Sequence, residues 1–156
     1  MVQVNGKGPH YRAEVVLFDP ERDIAVLLVR RLSAPALSIG QNLGRGDDAV
    51  VAGFPRNGGF SSGPARVRSL LRATGSDIYG QPGAVRQVYQ LYAKVEPGNS
   101  GGPLLATDGS LAGIVFAKSL DDQSTGYALT LEESRSSLRA GAGRSTPVGT
   151  GACAAG

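Results

Sequence analysis

The sequence predicts an all-β protein whose short antiparallel strands close into a barrel. The first observation is the composition, since 23 glycines and 9 prolines among 156 residues are typical of many tight turns. The second is the alternation of apolar runs with clusters of turn residues along most of the chain. With 41% hydrophobic residues, the chain is long and apolar enough to form one compact domain with a core.

The first predicted elements form a hairpin. Residues 11–18 and 24–29 have the pattern of strands on either side of the turn Asp19-Pro20. Residues 30–46 contain one proline and three glycines, which is typical of a loop. We expect this loop to cross between two lobes of the protein.

The later elements are more strands and one helix. Thr130, followed three residues later by Glu133, has the form of a capping box. It predicts a short helix that continues to about Arg139 and is ended by Gly141. The predicted strands between the loop and this helix are residues 49–54, 65–71, 85–95, 104–105, 111–116 and 127–129.

One segment, Gly98-Asn99-Ser100-Gly101-Gly102-Pro103, indicates a chemistry. Glycines on both sides of a serine allow a sharp turn that presents the hydroxyl to a substrate backbone. The same turn directs the amides of Gly98 and Ser100 to one point, where the oxyanion of a tetrahedral intermediate would lie. Ser100 is therefore the candidate catalytic nucleophile. The alternative is an ordinary hairpin turn, because Gly, Asn, Ser and Pro are also the common turn formers.

This motif resembles the nucleophile turn of trypsin-like serine endopeptidases. The strand, turn and strand that follow it resemble the arrangement in these enzymes and in their HtrA relatives. The resemblance implies a trypsin-like double β-barrel whose second barrel is complete and carries Ser100. The segment Asp23-Ile24-Ala25-Val26-Leu27 resembles the one that bears the aspartate of the catalytic triad. The resemblance thus implies that Asp23 orients and stabilises the catalytic imidazole.

The single histidine, His10, does not match the pattern of this family. The catalytic histidine of trypsin-like enzymes follows a strand in a Thr/Ser-Ala-Ala/Gly-His type of sequence, well upstream of the aspartate. His10 instead follows a turn at residues 5–9 and opens the first predicted strand. We interpret it as a surface or strand-edge residue. We therefore expect the chain to begin after the histidine-bearing element, and expect these 156 residues alone to be inactive.

The resemblance also implies a division of the chain. Residues 1–38 are expected to hold a remnant of the N-terminal barrel with Asp23, and residues 39–140 the C-terminal barrel with Ser100 and the helix. Residues 141–156 are expected to be a flexible tail. Residues 53–59 are similar to a turn of HtrA-like proteases.

Two further segments are similar to the membrane-anchored extracytoplasmic serine proteases of actinobacteria that are related to the mycobacterial acid-resistance protease. These are Ile78-Tyr79-Gly80 and the tail at residues 147–153. The likeness implies a periplasmic protease domain, anchored to the membrane by an upstream region of the full-length protein.

The resemblance also assigns a substrate pocket. In trypsin-like enzymes the position six before the nucleophile lies at the floor of the primary specificity pocket, and here it is Lys94. A lysine there would repel Lys or Arg at the P1 position of the substrate. The alternative is that the stem of Lys94 packs while its ammonium group reaches water. The remaining pocket residues by this resemblance are Phe116, Ala117, Lys118 and, facing them, Gly126.

Composition limits the other partners. The net charge of +3 is spread thinly and aromatic residues are few, so nucleic acid is not an expected partner. No apolar run reaches membrane-spanning length and the start is unlike a signal peptide. Membrane contact is expected only through a region upstream of the chain. No cofactor or metal is expected. The one cysteine, Cys153, is either a free thiol or half of a disulfide with a missing region.

Two functions stay open at this point. The first is a serine endopeptidase that acts on protein or peptide substrates through an acyl-enzyme. The second is a non-catalytic trypsin-like module that binds extended peptides without cutting them. The intact motif around Ser100 favours the first, because a pure binding module has no chemical need for the hydroxyl.

Overall fold

The computed structural model describes residues 1–4, 8–119 and 121–152. These residues form short strands and one C-terminal helix, so the all-β prediction is confirmed. In chain order the elements are β1 (Val2–Gln3), β2 (His10–Tyr11), β3 (Ala13–Asp19), β4 (Ile24–Val29), β5 (Asp48–Gly53), a 3₁₀ turn (Pro55–Asn57), β6 (Ser61–Ser76), β7 (Pro82–Tyr92), β8 (Pro103–Ala106), β9 (Leu111–Lys118), β10 (Thr125–Thr130) and α1 (Leu131–Gly141).

The N-terminal part consists of two antiparallel strand pairs, β1 with β2 and β3 with β4. The predicted strand at residues 11–18 is divided, because Tyr11 pairs with Val2 while β3 begins at Ala13. In the second pair, Asp19 lies opposite Ile24 next to the turn, and Ala13 lies opposite Val29 at the far end. This pair is called the Asp23 hairpin below, since Asp23 lies in its turn.

Within the described residues, six antiparallel strands close into a barrel in the order β10, β7, β6, β5, β8, β9. A closed barrel has no unpaired edge strand. The strand β6 is longer than predicted, whereas β7 has the predicted length but begins and ends three residues earlier. The pairing of the two strands continues to Ser76 opposite Pro82. This long hairpin extends past the barrel wall to the Asp23 hairpin, where the amide of Ile78 donates to the carbonyl of Pro20 at 3.4 Å.

Alternation along the barrel strands separates two apolar clusters. Tyr89, Leu91 and Ala128 point into the barrel and belong to its main core. The neighbouring side chains Val88 and Leu129 point outward and form a second buried cluster with Ile24 of the Asp23 hairpin. Burial of side chains of this size stabilises a fold by about 1.5–3 kcal/mol each. The outer cluster thus fixes the Asp23 hairpin on the barrel surface.

The loop at residues 30–47 is held against the barrel. Its Leu43 amide donates a hydrogen bond of 2.9 Å to the hydroxyl of Tyr89, whose pKa is raised by burial. The amide of Gly40 donates to the carbonyl of Leu111 at 2.9 Å. The loop assignment from the sequence therefore agrees with the structure.

The helix α1 follows β10 without a break. The hydroxyl of Thr130 accepts the amide of Glu133 at 3.1 Å, which is the first half of the predicted capping box. The second half does not form, because the carboxylate of Glu133 contacts Gln87 and Arg22 instead. The helix ends at Gly141, two residues beyond the expected Arg139. No helix in the part of the chain that the structure describes is long and apolar enough to cross a membrane.

Residues 142–152 return to the N-terminal part. The amide of Val148 donates to the carbonyl of Val15 in β3 at 2.8 Å. The hydroxyl of Tyr79 donates to the carbonyl of Thr150 at 3.0 Å. Cys153 lies outside the described residues. The flexible tail and the proposed boundaries at residues 38 and 140 stay predictions.

Candidate active site

The turn that carries Ser100 connects β7 to β8 and is fixed by its own backbone. The amide of Asn99 donates to the carbonyl of Glu96 at 3.0 Å, and the amide of Gly102 donates to the carbonyl of Asn99 at 2.9 Å. The amide of Gly101 donates to the carbonyl of Val115 in β9 at 2.8 Å. Ser100, at the centre of this turn, is exposed. The backbone thus forms the sharp turn that the sequence predicts, and it leaves the side chain of Ser100 accessible.

The same bonds leave two amides available. The amides of Asn99, Gly101 and Gly102 are used within the protein, whereas those of Gly98 and Ser100 donate to no acceptor among the described residues. Gly98 is exposed, as is Ser100. Two free amides beside an exposed serine hydroxyl are a donor set of the kind that can stabilise a tetrahedral oxyanion.

The turn that carries Ser100 packs against the backbone of the neighbouring segment 53–59. Gly98 has a φ of +95°, and a Cβ added there would lie 2.8 Å from the amide nitrogen of Arg56 and 2.9 Å from the carbonyl of Phe54. The amide of Arg56 also donates to the carbonyl of Pro97 at 2.7 Å. Segment 53–59, noted in the sequence for its likeness to HtrA-like proteases, is therefore the base on which the nucleophile turn rests. Sequence reasoning did not assign it that role.

Asp23 occupies the last position of the turn in its hairpin. It is exposed, has a φ of +57°, and is followed by the buried Ile24. Ile24 belongs to the outer cluster, against which Ile114 and Phe116 of β9 pack. Val115, between those two residues, exchanges hydrogen bonds with the nucleophile turn. The strand β4, which follows Asp23, therefore packs near β9, which is bonded to the turn that carries Ser100. No hydrogen bond or ion pair joins the side chains of Asp23 and Ser100 among the described residues.

A network of polar side chains surrounds the turn that precedes Asp23. Asp19 accepts hydrogen bonds from the amide and the guanidinium of Arg22, both at 3.1 Å, and from the hydroxyl of Ser137 at 2.9 Å. Burial raises the pKa of Asp19, but these hydrogen bonds outweigh it and hold the pKa below its ordinary value. The Nε atom of Arg22 lies 3.1 Å from the carboxylate of Glu133 in α1. Sequence reasoning missed this network.

The five predicted pocket residues fall into separate groups. Lys118 pairs with Gly126, and Ala117 pairs with Tyr127, across β9 and β10. Gly126 lies against the side chain of Val95.

The other two pocket residues lie elsewhere. Phe116 packs against the outer cluster and its ring lies 5.2 Å from the guanidinium of the buried Arg86. Lys94 is exposed and borders a groove of about 280 Å³ together with Pro55, Ser61 and Pro64. The structure therefore brings Lys118, Ala117 and Gly126 together and places Lys94 beside the nucleophile turn.

The charge of Lys94 is paired. Its Nζ atom lies 2.9 Å from the carboxylate of Glu96, and the Nε atom of Arg56 lies 3.6 Å from the same carboxylate. The hydrogen bond from Lys94 lowers the pKa of Glu96. The groove thus carries one carboxylate and two cations next to the nucleophile turn. Among residues 1–4, 8–119 and 121–152, no group of three His, Cys, Asp or Glu side chains is placed to hold a metal ion.

The turn between β9 and β10 is held by Asp122. Its carboxylate accepts hydrogen bonds from the amide and hydroxyl of Ser124, at 2.8 and 2.6 Å, and from the hydroxyl of Thr125 at 2.7 Å. The hydrogen bond from the Ser124 hydroxyl is the largest of the causes that lower the pKa of Asp122 to about 2. Because Thr125 begins β10, this turn sets the position of Gly126.

We predict that Asp122 makes stability depend on acid. A carboxylate whose folded-state pKa is lowered contributes stability that is present above its ordinary pKa of 3.8 and is lost as the pH falls toward 2. The difference in free energy of unfolding between the parent protein and Asp122→Asn should therefore shrink over this range in urea titrations. Asp121→Asn is the control, since the carboxylate of Asp121 accepts no hydrogen bond from the described residues. A difference that is constant with pH would contradict the prediction.

Known proteins are similar to this chain in sequence and in fold. A protein-family model described as "Trypsin-like peptidase domain" matches residues 2–114 of this chain. The chain is 45% identical over 145 residues to the serine protease Rv3671c of Mycobacterium tuberculosis, covering 92% of this chain and 36% of that protein. It is 33% identical over 109 residues to a probable periplasmic DegP-like serine endoprotease of Chlamydia pneumoniae, covering 69% of this chain and 21% of that protein.

Solved structures agree with these relatives. The active form of the Rv3671c protease superposes with a TM-score of 0.86 at 44% identity, covering 92% of this chain and 63% of that chain. The HtrA-type protease AlgW with a decapeptide superposes with a TM-score of 0.72 at 28% identity, covering 86% and 41%. The chain thus spans about a third of the length of Rv3671c and less of the other relative. From the family match, the identity and the shared fold, this chain belongs to the trypsin-like peptidase family and is a serine protease domain.

Proposed function

We propose that the full-length protein hydrolyses peptide bonds with Ser100 as its nucleophile. The observation that carries this proposal is the exposed Ser100 on a turn in which the amides of Gly98 and Ser100 have no acceptor among the described residues. The Ser100 hydroxyl attacks the peptide carbonyl while an imidazole takes its proton. The two amides hold the oxyanion, and Asp23 orients the imidazole and stabilises its cation. The amine then leaves with that proton, and water releases the acyl group from Ser100.

The imidazole in this proposal comes from outside the 156 residues. His10 is exposed and lies in β2, just before the Ala13 end of the Asp23 hairpin. Asp23 lies at the opposite end of the same hairpin. Seven residues of β3 span about 20 Å, so His10 is too distant to share a hydrogen bond with Asp23. This geometry supports the interpretation of His10 as a residue outside the catalytic triad.

The comparisons support a peptide or protein as substrate and an extracytoplasmic location. AlgW was solved with a decapeptide in place, and one curated relative is named a probable periplasmic endoprotease. We propose the same class of substrate and the periplasm for this protein. We also propose that a region outside these residues anchors it to the membrane.

A fluorophosphonate probe tests the function. We expect the probe to label Ser100 in the full-length protein, the label to disappear in Ser100→Ala, and His10→Ala to label as the parent does. The isolated 156-residue chain should not label. Labelling of the isolated chain that His10→Ala abolishes would contradict the origin of the imidazole. A full-length protein that binds peptides but neither labels nor cleaves them would instead be the non-catalytic binding module.

We predict that the protein cleaves poorly after Lys or Arg. Lys94 borders the groove beside the nucleophile turn and shares the Glu96 carboxylate with Arg56. Two cations against one carboxylate leave a net positive charge, which repels a cationic P1 side chain. In Lys94→Met, kcat/KM for substrates with Arg at P1 should rise about tenfold relative to substrates with Ala at P1. Arg45→Met, in the loop before the barrel, is the control. A dominant preference of the parent protein for Arg or Lys in a peptide library would contradict the assignment of Lys94.

A further inference from the structure

We propose that Arg22 is a positioning residue for Asp23, and that it acts through a bracket formed by Asp19, Arg22 and Glu133. The inference rests on the proposed function, in which Asp23 orients the catalytic imidazole. Nothing in the sequence links these residues, since Glu133 lies in the C-terminal helix and the other two lie in the first hairpin. The structure brings them together next to Asp23.

The first half of the bracket closes the turn on itself. Asp19 accepts both the backbone amide and the guanidinium of Arg22, so the two ends of the turn are joined twice. The residue that follows, Asp23, has a φ of +57°. Non-glycine residues are uncommon in this left-handed region, and aspartate is among those that adopt it most readily. The bonds between Asp19 and Arg22 are the contacts that hold this turn.

The second half ties the turn to the barrel. The Nε atom of Arg22 lies 3.1 Å from one carboxylate oxygen of Glu133. The other oxygen of Glu133 accepts the backbone amide of Gln87 in β7 at 2.9 Å. The hydroxyl of Ser137, one helical turn further along α1, donates to Asp19 at 2.9 Å. The turn is therefore bonded through side chains to both the helix and a strand of the closed barrel.

The side chains that form these contacts are largely shielded from solvent, which strengthens the ion pairs. The side chains of Asp19 and Glu133 are only 18% and 15% exposed, and that of Arg22 is 38% exposed. An arginine that joins two shielded carboxylates is held more strongly than one in an isolated surface ion pair. Its pKa is raised above the ordinary value by the hydrogen bond to Asp19, so the guanidinium of Arg22 stays charged.

Asp23 itself has no such support. Its carboxylate accepts no hydrogen bond from the described residues, so its position is set by its neighbours in the chain. On one side Ile24 is buried in the outer cluster, and on the other side Arg22 is held by the bracket. Displacement of a catalytic group by about 1 Å can lower the rate about 100-fold. Loss of the bracket should therefore affect catalysis through the orientation of Asp23.

The test measures steady-state peptide hydrolysis by the full-length protein and its variants Arg22→Met and Glu133→Gln. We expect kcat to fall 10–100-fold with little change in KM. The acid limb of kcat/KM should move down by about one pH unit, because an imidazolium without its carboxylate partner has a lower pKa. The double variant should be no worse than the single variants, and Arg22→Lys should restore part of kcat. The matched controls are Arg30→Met, an exposed arginine at the far end of the hairpin, and Glu132→Gln, the exposed residue before Glu133, and both should behave as the parent.

The outcomes separate the two proposals. If Asp23→Asn is inactive but Arg22→Met and Glu133→Gln keep the kcat and acid limb of the parent, the bracket is refuted and the proposed function stands. A decrease in activity that follows the folded fraction in thermal melting, with an unchanged acid limb, also refutes it. If the parent protein shows no peptide hydrolysis that is lost in Ser100→Ala, both proposals are overturned.

Discussion

Ser100→Ala is expected to lower kcat of the full-length protein by about a millionfold, the effect of removing the nucleophile from a serine protease triad. The expected result follows from the proposed acyl-enzyme, which cannot form without the hydroxyl. The side chain is exposed and the turn is held by backbone hydrogen bonds, so the melting temperature should stay within a few degrees of the parent value. The measurements are single-turnover peptide hydrolysis and thermal unfolding.

The control for this prediction is Ser110→Ala, another serine close to a glycine turn. The hydroxyl of Ser110 donates to Asp108 at 2.7 Å in the turn between β8 and β9. It should lose stability and keep kcat. Residual hydrolysis by Ser100→Ala at a tenth or more of the parent rate would show that Ser100 is not the nucleophile.

Gly98→Ala is expected to lower kcat by about 10²–10³, the cost of losing one oxyanion donor. The added methyl group would lie 2.8 Å from the amide nitrogen of Arg56 and 2.9 Å from the carbonyl of Phe54. These are backbone atoms, so the nucleophile turn must move away from segment 53–59. Overpacking of this kind also costs about 1–3 kcal/mol of stability. The measurements are kcat on a peptide substrate and urea unfolding.

Gly101→Ala is the matched control. Gly101 lies in the same turn with a similar φ of +82°, yet nothing lies within 4 Å of an added Cβ. It shares the backbone strain of Gly98→Ala, about 1–2 kcal/mol, without the clash. Its kcat should stay within tenfold of the parent value. Equal losses in the two variants would show that support by segment 53–59 is unimportant for the oxyanion amides.

The sequence predicted best what depends on neighbouring residues. The turn at residues 98–103 and the helix cap at Thr130 are local, and both have the expected geometry. Strand lengths were predicted less well. Residues 72–76 at the end of β6 lie outside the predicted strand, and they form a strand because β7 pairs with them as far as Ser76. Such pairing depends on a partner strand and is not visible in the composition of one segment.

The candidate site shows the same difference between local motifs and contacts with distant residues. Ser100 and Asp23 could be named from short motifs, and their catalytic roles stay predictions. The contact between Arg22 and Glu133 joins residues from the two ends of the chain, and no periodicity or spacing indicates it. The support that segment 53–59 gives to Gly98 depends on backbone proximity, which side-chain chemistry does not encode. Tertiary contacts between distant segments are therefore what sequence reasoning missed.

The ties from the Asp23 hairpin to the C-terminal end have a consequence for synthesis on the ribosome. The hairpin is made before the barrel strands, whereas its side-chain partners in α1 and its backbone partner Val148 are made after them. Contacts between residues so far apart in sequence form slowly, because the entropy cost of closing the long loop precedes the stabilisation that the contacts give. The nucleophile turn needs only residues up to Val115, so it is complete while the nascent chain still lacks its helix. Under the proposed function, Asp23 is therefore held in its position for catalysis only after α1 has been made and has packed on the hairpin.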